Sequence, residues 1–225
     1  MKVFLPILVL LFTVVTFSQE IVTKEYLMGN YEPSKDVRFE IYKGYYLRKE
    51  TLEAFIKLEN DAKKNGITLN IISATRTFSH QKRLWETKWK RYYSKKLGAE
   101  KTALKVLNYS SMPTSSRHHW GTDMDIISLD PKYWLTKKGQ SQYAWLTENA
   151  PKHGFCQPYS ANRPTGYKEE KWHWSYKPVA QNLLKAYENQ ITLEDISASG
   201  FLGSQTALTL NVIEDYVFGI NQTCR

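Results

Sequence analysis

The run Ser115-Ser116-Arg117-His118-His119-Trp120-Gly121-Thr122-Asp123-Met124-Asp125 constrains this chain more than any other stretch. Two histidines, a glycine and two aspartates fall within eight residues, just ahead of the apolar pair Ile126-Ile127. Asp123 and Asp125 are two apart, so on a strand both face one way while Met124 and Ile126 face the core. Gly121 lets the backbone turn between the histidine loop and that strand. Imidazole and carboxylate together suit a zinc ion that keeps one coordination position open, although such a cluster also fits a solvated polar loop.

A second cluster lies far downstream: Glu169-Glu170-Lys171-Trp172-His173-Trp174-Ser175-Tyr176. A carboxylate three residues before a histidine supplies a general base and a third ligand, and the two segments together read as a split hydrolytic metal site. In Trp172 to Tyr176 the aromatics alternate with His173 and Ser175, as on a strand. Glu170 is an odd number of residues from His173, so a bend near Lys171 is required if both serve one metal.

The chain has 225 residues, 42% hydrophobic and 14% aromatic, enough for one core with an extension. Lys2 precedes an apolar run from Val3 to Phe17, and Thr16-Phe17-Ser18 offers small residues before a cleavage point. This is the layout of a secretory signal peptide over residues 1–18, with the mature chain exported to the periplasm or beyond. Fifteen apolar residues make a helix of about 22 Å, short of a ~30 Å hydrocarbon core, so no stable membrane insertion is expected after cleavage. In an oxidising compartment Cys156 and Cys224 are a candidate disulfide; otherwise they are two unpaired thiols. The formal charge of +9 is spread over segments such as Lys88, Lys90, Arg91, Lys95 and Lys96. Without a nucleic-acid motif it reads as a solvated basic face, or as attraction to an anionic wall, and no nucleic-acid partner is expected.

Periodicity predicts helices over 49–65 with Gly66 as C-cap, 78–93, 100–107, 141–150, 179–188 and, in the tail, 204–217. Strands are predicted at 67–72, 123–129 and 172–176, and residues 19–46 are expected to wrap the domain as an aromatic, turn-rich segment. Asn108-Tyr109-Ser110 and Asn221-Gln222-Thr223 match a short glycosylation pattern.

Ser116-Arg117-His118-His119-Trp120-Gly121-Thr122-Asp123-Met124-Asp125 resembles the S-x-H-x-x-G-x-x-x-D signature of the D-alanyl-D-alanine carboxypeptidase and dipeptidase family, zinc peptidases of bacterial cell-wall metabolism related to the vancomycin-resistance enzymes. Glu170-Lys171-Trp172-His173 resembles its E-x-W-H signature, and Ser73-Ala74-Thr75-Arg76 with Gln81 resembles its S-x-x-R…Q segment. The three motifs occur in the family's order over about residues 45 to 180. Ala74-Thr75 departs from the usual Gly-Tyr before the arginine, and Lys171 stands where the dipeptidases often carry proline.

The resemblance implies an α+β domain in which a small antiparallel sheet, flanked by helices, carries the zinc site. It implies one Zn2+ per chain on His118, Asp125 and His173, with His119 and Asp123 outside the coordination sphere. Glu170 is then the general base, Arg76 lies near the scissile carbonyl, and Ser116 and Gln81 lie on the substrate side. The implied organisation is a peptidase domain over 19–190 with a C-terminal helical extension, 191–225, packed on it. The implied activity is D,D-carboxypeptidase action on peptidoglycan stem peptides ending in D-Ala, by a monomer at the cell wall. An L-Ala-D-Glu endopeptidase, an L,D-carboxypeptidase and a catalytically idle wall-binding module are the alternatives; retention of Glu170 weighs against the last.

Overall fold

The computed structural model describes residues 21–225; the expected signal peptide and its cleavage point lie outside the described residues. A short helix α1 (Lys24–Leu27) leads into a hairpin of β1 (Phe39–Tyr42) and β2 (Tyr45–Arg48). The segment expected to be an irregular wrap therefore contains a hairpin, turned by Lys43-Gly44, both at positive φ. Helix α2 (Lys49–Lys64) buries Leu52, Phe55, Leu58 and Ala62 on one face. It stops where predicted, because Gly66 at φ +70 lets Ile67 N–H return to the Ala62 carbonyl.

The strand expected over 67–72 is shorter and later, β3 (Ile71–Ser73), with an irregular register against its neighbour. Helix α3 (Phe78–Tyr92) starts at Thr77, whose hydroxyl accepts from His80 N–H, a cap worth about 1 kcal/mol. Helix α4 (Ala99–Leu107) packs beside α3. Strand β4 is confined to Asp123–Ile126, because Ile127 turns to φ +71 and ends the ladder. Helix α5 (Lys137–Asn149) begins four residues before its predicted start, capped by Thr136. Strands β5 (Phe155–Cys156) and β6 (His173–Tyr176) are followed by α6 (Lys177–Gln190) and α7 (Leu193–Ser197).

The main sheet has the order β3-β4-β6-β5, all neighbours antiparallel, so the expected α+β class with a small antiparallel sheet is the observed one. In the β4–β6 ladder Asp123 faces Ser175, Met124 faces Trp174 and Asp125 faces His173. Side chains alternate across a strand, so the polar pairs share one face while Met124 and Trp174 share the other. That apolar face packs on Leu52, Phe55 and Leu58 of α2 and Leu146 of α5. A second core gathers Trp85 and Trp89 of α3, Val106 of α4, Leu183 and Tyr187 of α6 and Phe201, Val217 and Cys224 of the C-terminal segment.

The tail differs from expectation. In place of one helix over 204–217 it forms a 3-10 turn at Ser204–Leu208 and a π turn at Ile213–Val217. Its buried residues Ala207, Val212 and Val217 each meet the second core, and tertiary packing replaces helical continuity there. Cys224 is bonded to Cys156 of β5, which ties the chain end to the edge of the site-bearing sheet. Among the described residues no helix is long and apolar enough to cross a membrane.

Candidate metal centre

Asp125 and His173 meet because they are direct cross-strand partners on the polar face of β4 and β6. His118 reaches the same point from a 3-10 turn, Arg117–Trp120, that ends at Gly121. Gly121 has φ +74, and a Cβ there would lie 2.3 Å from the Phe39 ring, so any other residue would displace the turn that aims His118. Backbone pairing of Arg76 N–H with the His118 carbonyl at 3.0 Å fixes the turn against the loop after β3.

One ligand atom from each of His118, Asp125 and His173 lies within 4.8 Å of the other two, and all three residues are buried. Hydrogen bonds select the atoms. Nδ1 of His118 is 2.8 Å from the Ala74 carbonyl, an acceptor only, so Nδ1 carries the hydrogen and Nε2 keeps its lone pair. Nε2 of His173 is 2.9 Å from Asp123 Oδ2, which turns Nδ1 toward Asp125 Oδ1 at 3.1 Å. Among the described residues Asp125 Oδ1 is a buried acceptor with no partner besides this His173 contact. Two imidazole lone pairs and an unsatisfied carboxylate oxygen facing one point fit a tetrahedral divalent ion with one position left open.

His119 has no such freedom. Its Nδ1 lies 2.6 Å from the Arg76 carbonyl, and its Nε2 accepts from Thr114 N–H at 3.2 Å. Both nitrogens are used internally, and burial pulls its pKa down to about 3. Asp123 is likewise committed, accepting from Arg117 Nε at 2.9 Å, Ser175 Oγ at 2.8 Å and Thr122 Oγ1 at 2.7 Å besides His173. Burial opposes its charge, but Arg117 and His173 hold its carboxyl far below the usual carboxylate range. Asp123 thus orients a ligand, a role the spacing of the two aspartates did not reveal.

Burial lowers His118 to a pKa of about 4, reinforced by Arg76, so it is neutral near pH 7. Burial also opposes charge on His173, but its two carboxylate neighbours, Asp123 and Asp125, outweigh that and raise it to about 9. Burial would raise Asp125, yet His118 and Arg76 hold it well below its ordinary value. Glu170 sits at the bend that the spacing required: His173 N–H bonds the Glu170 carbonyl across a turn, and Glu170 Oε2 lies 3.6 Å from His173 Nδ1. Burial raises Glu170 to about 7, partly offset by His173, Arg76 and Lys88.

These groups line a cavity of about 430 Å3 with Arg76, Leu84, Lys88, Tyr109, Ser110, Ser111, Tyr159, Tyr167 and Trp172 among its walls. Arg76 donates from Nε to Ser73 Oγ at 2.9 Å, from Nη1 to Gln81 Oε1 at 3.2 Å and from Nη2 to Asp125 Oδ2 at 2.5 Å. Its Nη2 also stands 3.1 Å from His118 Nε2. Gln81, expected on the substrate side, is buried behind the cavity wall, where its Oε1 accepts from Arg76 and its Nε2 donates to the Ser111 carbonyl at 2.8 Å. Ser116 is also buried; among the described residues its hydroxyl has no partner, and the serines on the cavity wall are Ser110 and Ser111. The ring of Tyr159 packs 4.6 Å from that of His173, and Tyr167 and then Tyr216 continue the contact into the C-terminal segment. Nothing in the sequence periodicity marked Tyr159, which lies in a loop.

A sequence profile of the VanY D-alanyl-D-alanine carboxypeptidase family matches residues 44–179. The YodJ protein of Bacillus subtilis (strain 168) is 32% identical over 188 residues, covering 78% of this chain and 65% of YodJ. A D-alanyl-D-alanine carboxypeptidase of Enterococcus faecium is 28% identical over 152 residues, covering 66% of this chain and 43% of that enzyme. The chain thus spans less than two thirds of the length of these curated relatives. The vancomycin-resistance D,D-pentapeptidase VanY, solved in complex with Zn(II), shares the fold at a TM-score of 0.53 and 24% identity, over 68% of this chain and 85% of that one. The matched span holds Arg76, both histidines of the centre, Asp125 and Glu170, and the chain belongs to the VanY D-alanyl-D-alanine carboxypeptidase family.

Proposed function

We propose that this protein is an exported zinc D,D-carboxypeptidase that removes the terminal D-Ala from peptidoglycan stem peptides. The observation that carries the reading is a buried carboxyl, Glu170, held beside a His118, Asp125 and His173 donor set on one cavity wall. A binding module has no use for a buried carboxyl on the cavity wall beside a metal donor set, whereas a hydrolase needs one that accepts and returns a proton. Family membership and the Zn(II) found in a protein of the same fold support the choice of metal.

His118 Nε2, His173 Nδ1 and the Asp125 carboxylate are the proposed ligands. Bound there, Zn2+ supplies a Lewis acid for the scissile carbonyl and lowers the pKa of water. Glu170 takes a proton from the attacking water at its carboxylate and delivers it to the leaving amine nitrogen. Arg76, braced by Ser73 and Gln81, directs its guanidinium N–H groups to the carbonyl oxygen as negative charge develops. Aromatic walls from Tyr109, Tyr159, Tyr167 and Trp172 exclude bulk water around these groups.

Export rests on the apolar run of residues 3–17 and on the Cys156–Cys224 bond. A mature monomer of one peptidase domain, 19–190, with the tail 191–225 packed on it, working at the wall in the periplasm or outside the cell, completes the proposal. Mass spectrometry of muropeptides digested by the zinc-loaded protein tests it. Loss of a single D-alanine from pentapeptide stems is the expected result. Intact pentapeptides overturn it, and D-alanine release from tetrapeptides alone places the enzyme with the L,D-carboxypeptidases.

A further inference from the structure

Helix α3 contributes to the cavity wall beyond the Arg76 loop that precedes it. Gln81, Leu84 and Lys88 fall at i, i+3 and i+7 and so share one face of the helix. Gln81 braces Arg76 from behind, while Leu84 and Lys88 stand on the cavity wall itself. Helical side chains lean toward the N-terminus of their helix, which carries the Lys88 ammonium back toward the Arg76 end of the cavity.

Arg76 and Lys88 are the two Arg or Lys side chains on that wall among the described residues. Arg76 is held by Ser73, Gln81, Asp125 and His118 at the metal centre, where the carboxypeptidase reading assigns it to the scissile carbonyl. Lys88 is half-buried, and no hydrogen bond or ion pair to it is present among the described residues. Burial, and after it Arg76, pulls its pKa below the ordinary lysine value, while Glu170 and Asp125 draw it back. A partly dehydrated cation with no anion bonded to it is costly in the free protein and favours an anionic ligand.

The cavity also has a direction. It shares Tyr109, Pro131, Tyr167 and Trp172 with an adjoining groove that runs on to Lys132, Ser160 and Lys168, and no residue of α3 borders that groove. The groove offers an exit for the long acyl portion of a peptide, leaving the α3 side for whatever lies beyond the scissile bond. In a carboxypeptidase substrate that is one residue ending in a carboxylate.

We propose that Lys88 is the specificity-determining anchor for the C-terminal carboxylate of the peptide, so that this chain selects free-acid ends through an ammonium on α3. The inference rests on the carboxypeptidase reading above and adds to it the residue that recognises the chain end.

The test compares an N-acylated peptide ending in D-Ala-D-Ala with its C-terminal carboxamide, using the zinc-loaded wild type, Lys88→Met and Lys88→Arg. A charge-assisted contact at a partly buried site corresponds to about a ten- to hundredfold effect. Lys88→Met should raise KM for the free acid by that factor, leave kcat/KM for the carboxamide within about twofold, and be partly rescued by Lys88→Arg. Equal losses on both peptides, or no loss on either, overturn the proposal. Zinc content and the melting temperature identify a variant that fails to fold. If the wild type cleaves neither peptide, the carboxypeptidase reading itself fails. Calorimetric binding of the D-Ala-D-Ala dipeptide then decides the role of Lys88: tenfold or greater weakening by Lys88→Met sustains it, and equal affinity overturns it.

Discussion

Nε2 of His173 lies 2.9 Å from Oδ2 of Asp123, and this contact decides which nitrogen of His173 faces the cavity. Asp123 is itself held by Arg117, Thr122 and Ser175, so the imidazole is oriented by a fully buried polar network. Asp123→Asn should therefore leave the three ligands in the sequence intact and still weaken zinc binding by about 10- to 100-fold. Competition against a chromogenic chelator measures it; an unchanged dissociation constant would show that the network does not orient His173.

Zinc binding should be coupled to protons. His173, raised to about 9, is protonated at pH 7 in the metal-free protein, whereas His118, lowered to about 4, is already neutral. A ligand imidazole must be neutral, so binding at pH 7 releases close to one proton from His173 and affinity rises as pH approaches 9. The sign reverses for the chelated protein. A histidine raised above its unfolded value stabilises fully below that value, about 6.5, and the contribution fades as pH rises through about 9. Calorimetry in buffers of different ionisation heat reads the proton, and melting curves with and without chelator should show opposite trends between pH 6.5 and 9. No proton release at pH 7 would contradict the assignment.

Glu170→Gln keeps the shape of the side chain and lies outside the donor set, so zinc stoichiometry should stay at about one per chain. An amide cannot accept the proton of the attacking water, and kcat should fall by a factor of about 10² to 10⁴. Metal analysis and steady-state turnover on a D-Ala-D-Ala peptide separate the two effects. Wild-type turnover in this variant would remove Glu170 from the mechanism.

The bond between Cys156 and Cys224 spans 68 positions of chain. In the chain-entropy account it contributes about 4 kcal/mol. Replacing both cysteines by serine should lower the melting temperature by on the order of 10 °C. The unfolding midpoint of oxidised wild type against the double variant tests this, and coincident midpoints would show that the bond carries no stability.

The candidate site was legible in the sequence because its residues lie in two short local clusters. His118 with Asp125, and Glu170 with His173, need only a turn and a strand to converge, and strand alternation already put Asp125 on the polar face. Helices α2 and α3 were legible for a similar reason: each presents a periodic apolar face, and Gly66 marks the end of α2 by local backbone chemistry. Residues 204–217 carried a helical pattern that lost to contacts with the second core, a competition decided far away in sequence.

Spacing left His118 and His119 equivalent, and motif resemblance chose between them. The physical reason for the choice is tertiary: Arg76 and Thr114 consume both nitrogens of His119 behind the wall, while the Ala74 carbonyl takes Nδ1 of His118 and leaves Nε2 facing the cavity, beside Arg76 Nη2. Gln81 shows the same limit, since its place behind the cavity wall depends on how α3 packs against the loop at Ser111. Lys88 looked like one more lysine of a solvated basic helix, and its place on the cavity wall depends on which face of α3 the second core buries. Sequence by itself determined that metal-binding and acid-base residue types fall in two short clusters able to converge, because ligand type, strand alternation and turn signals are local. Only the tertiary structure decided which lone pairs stay free, which side chains brace and which face the cavity, because a buried polar atom's role is set by the partner that reaches it.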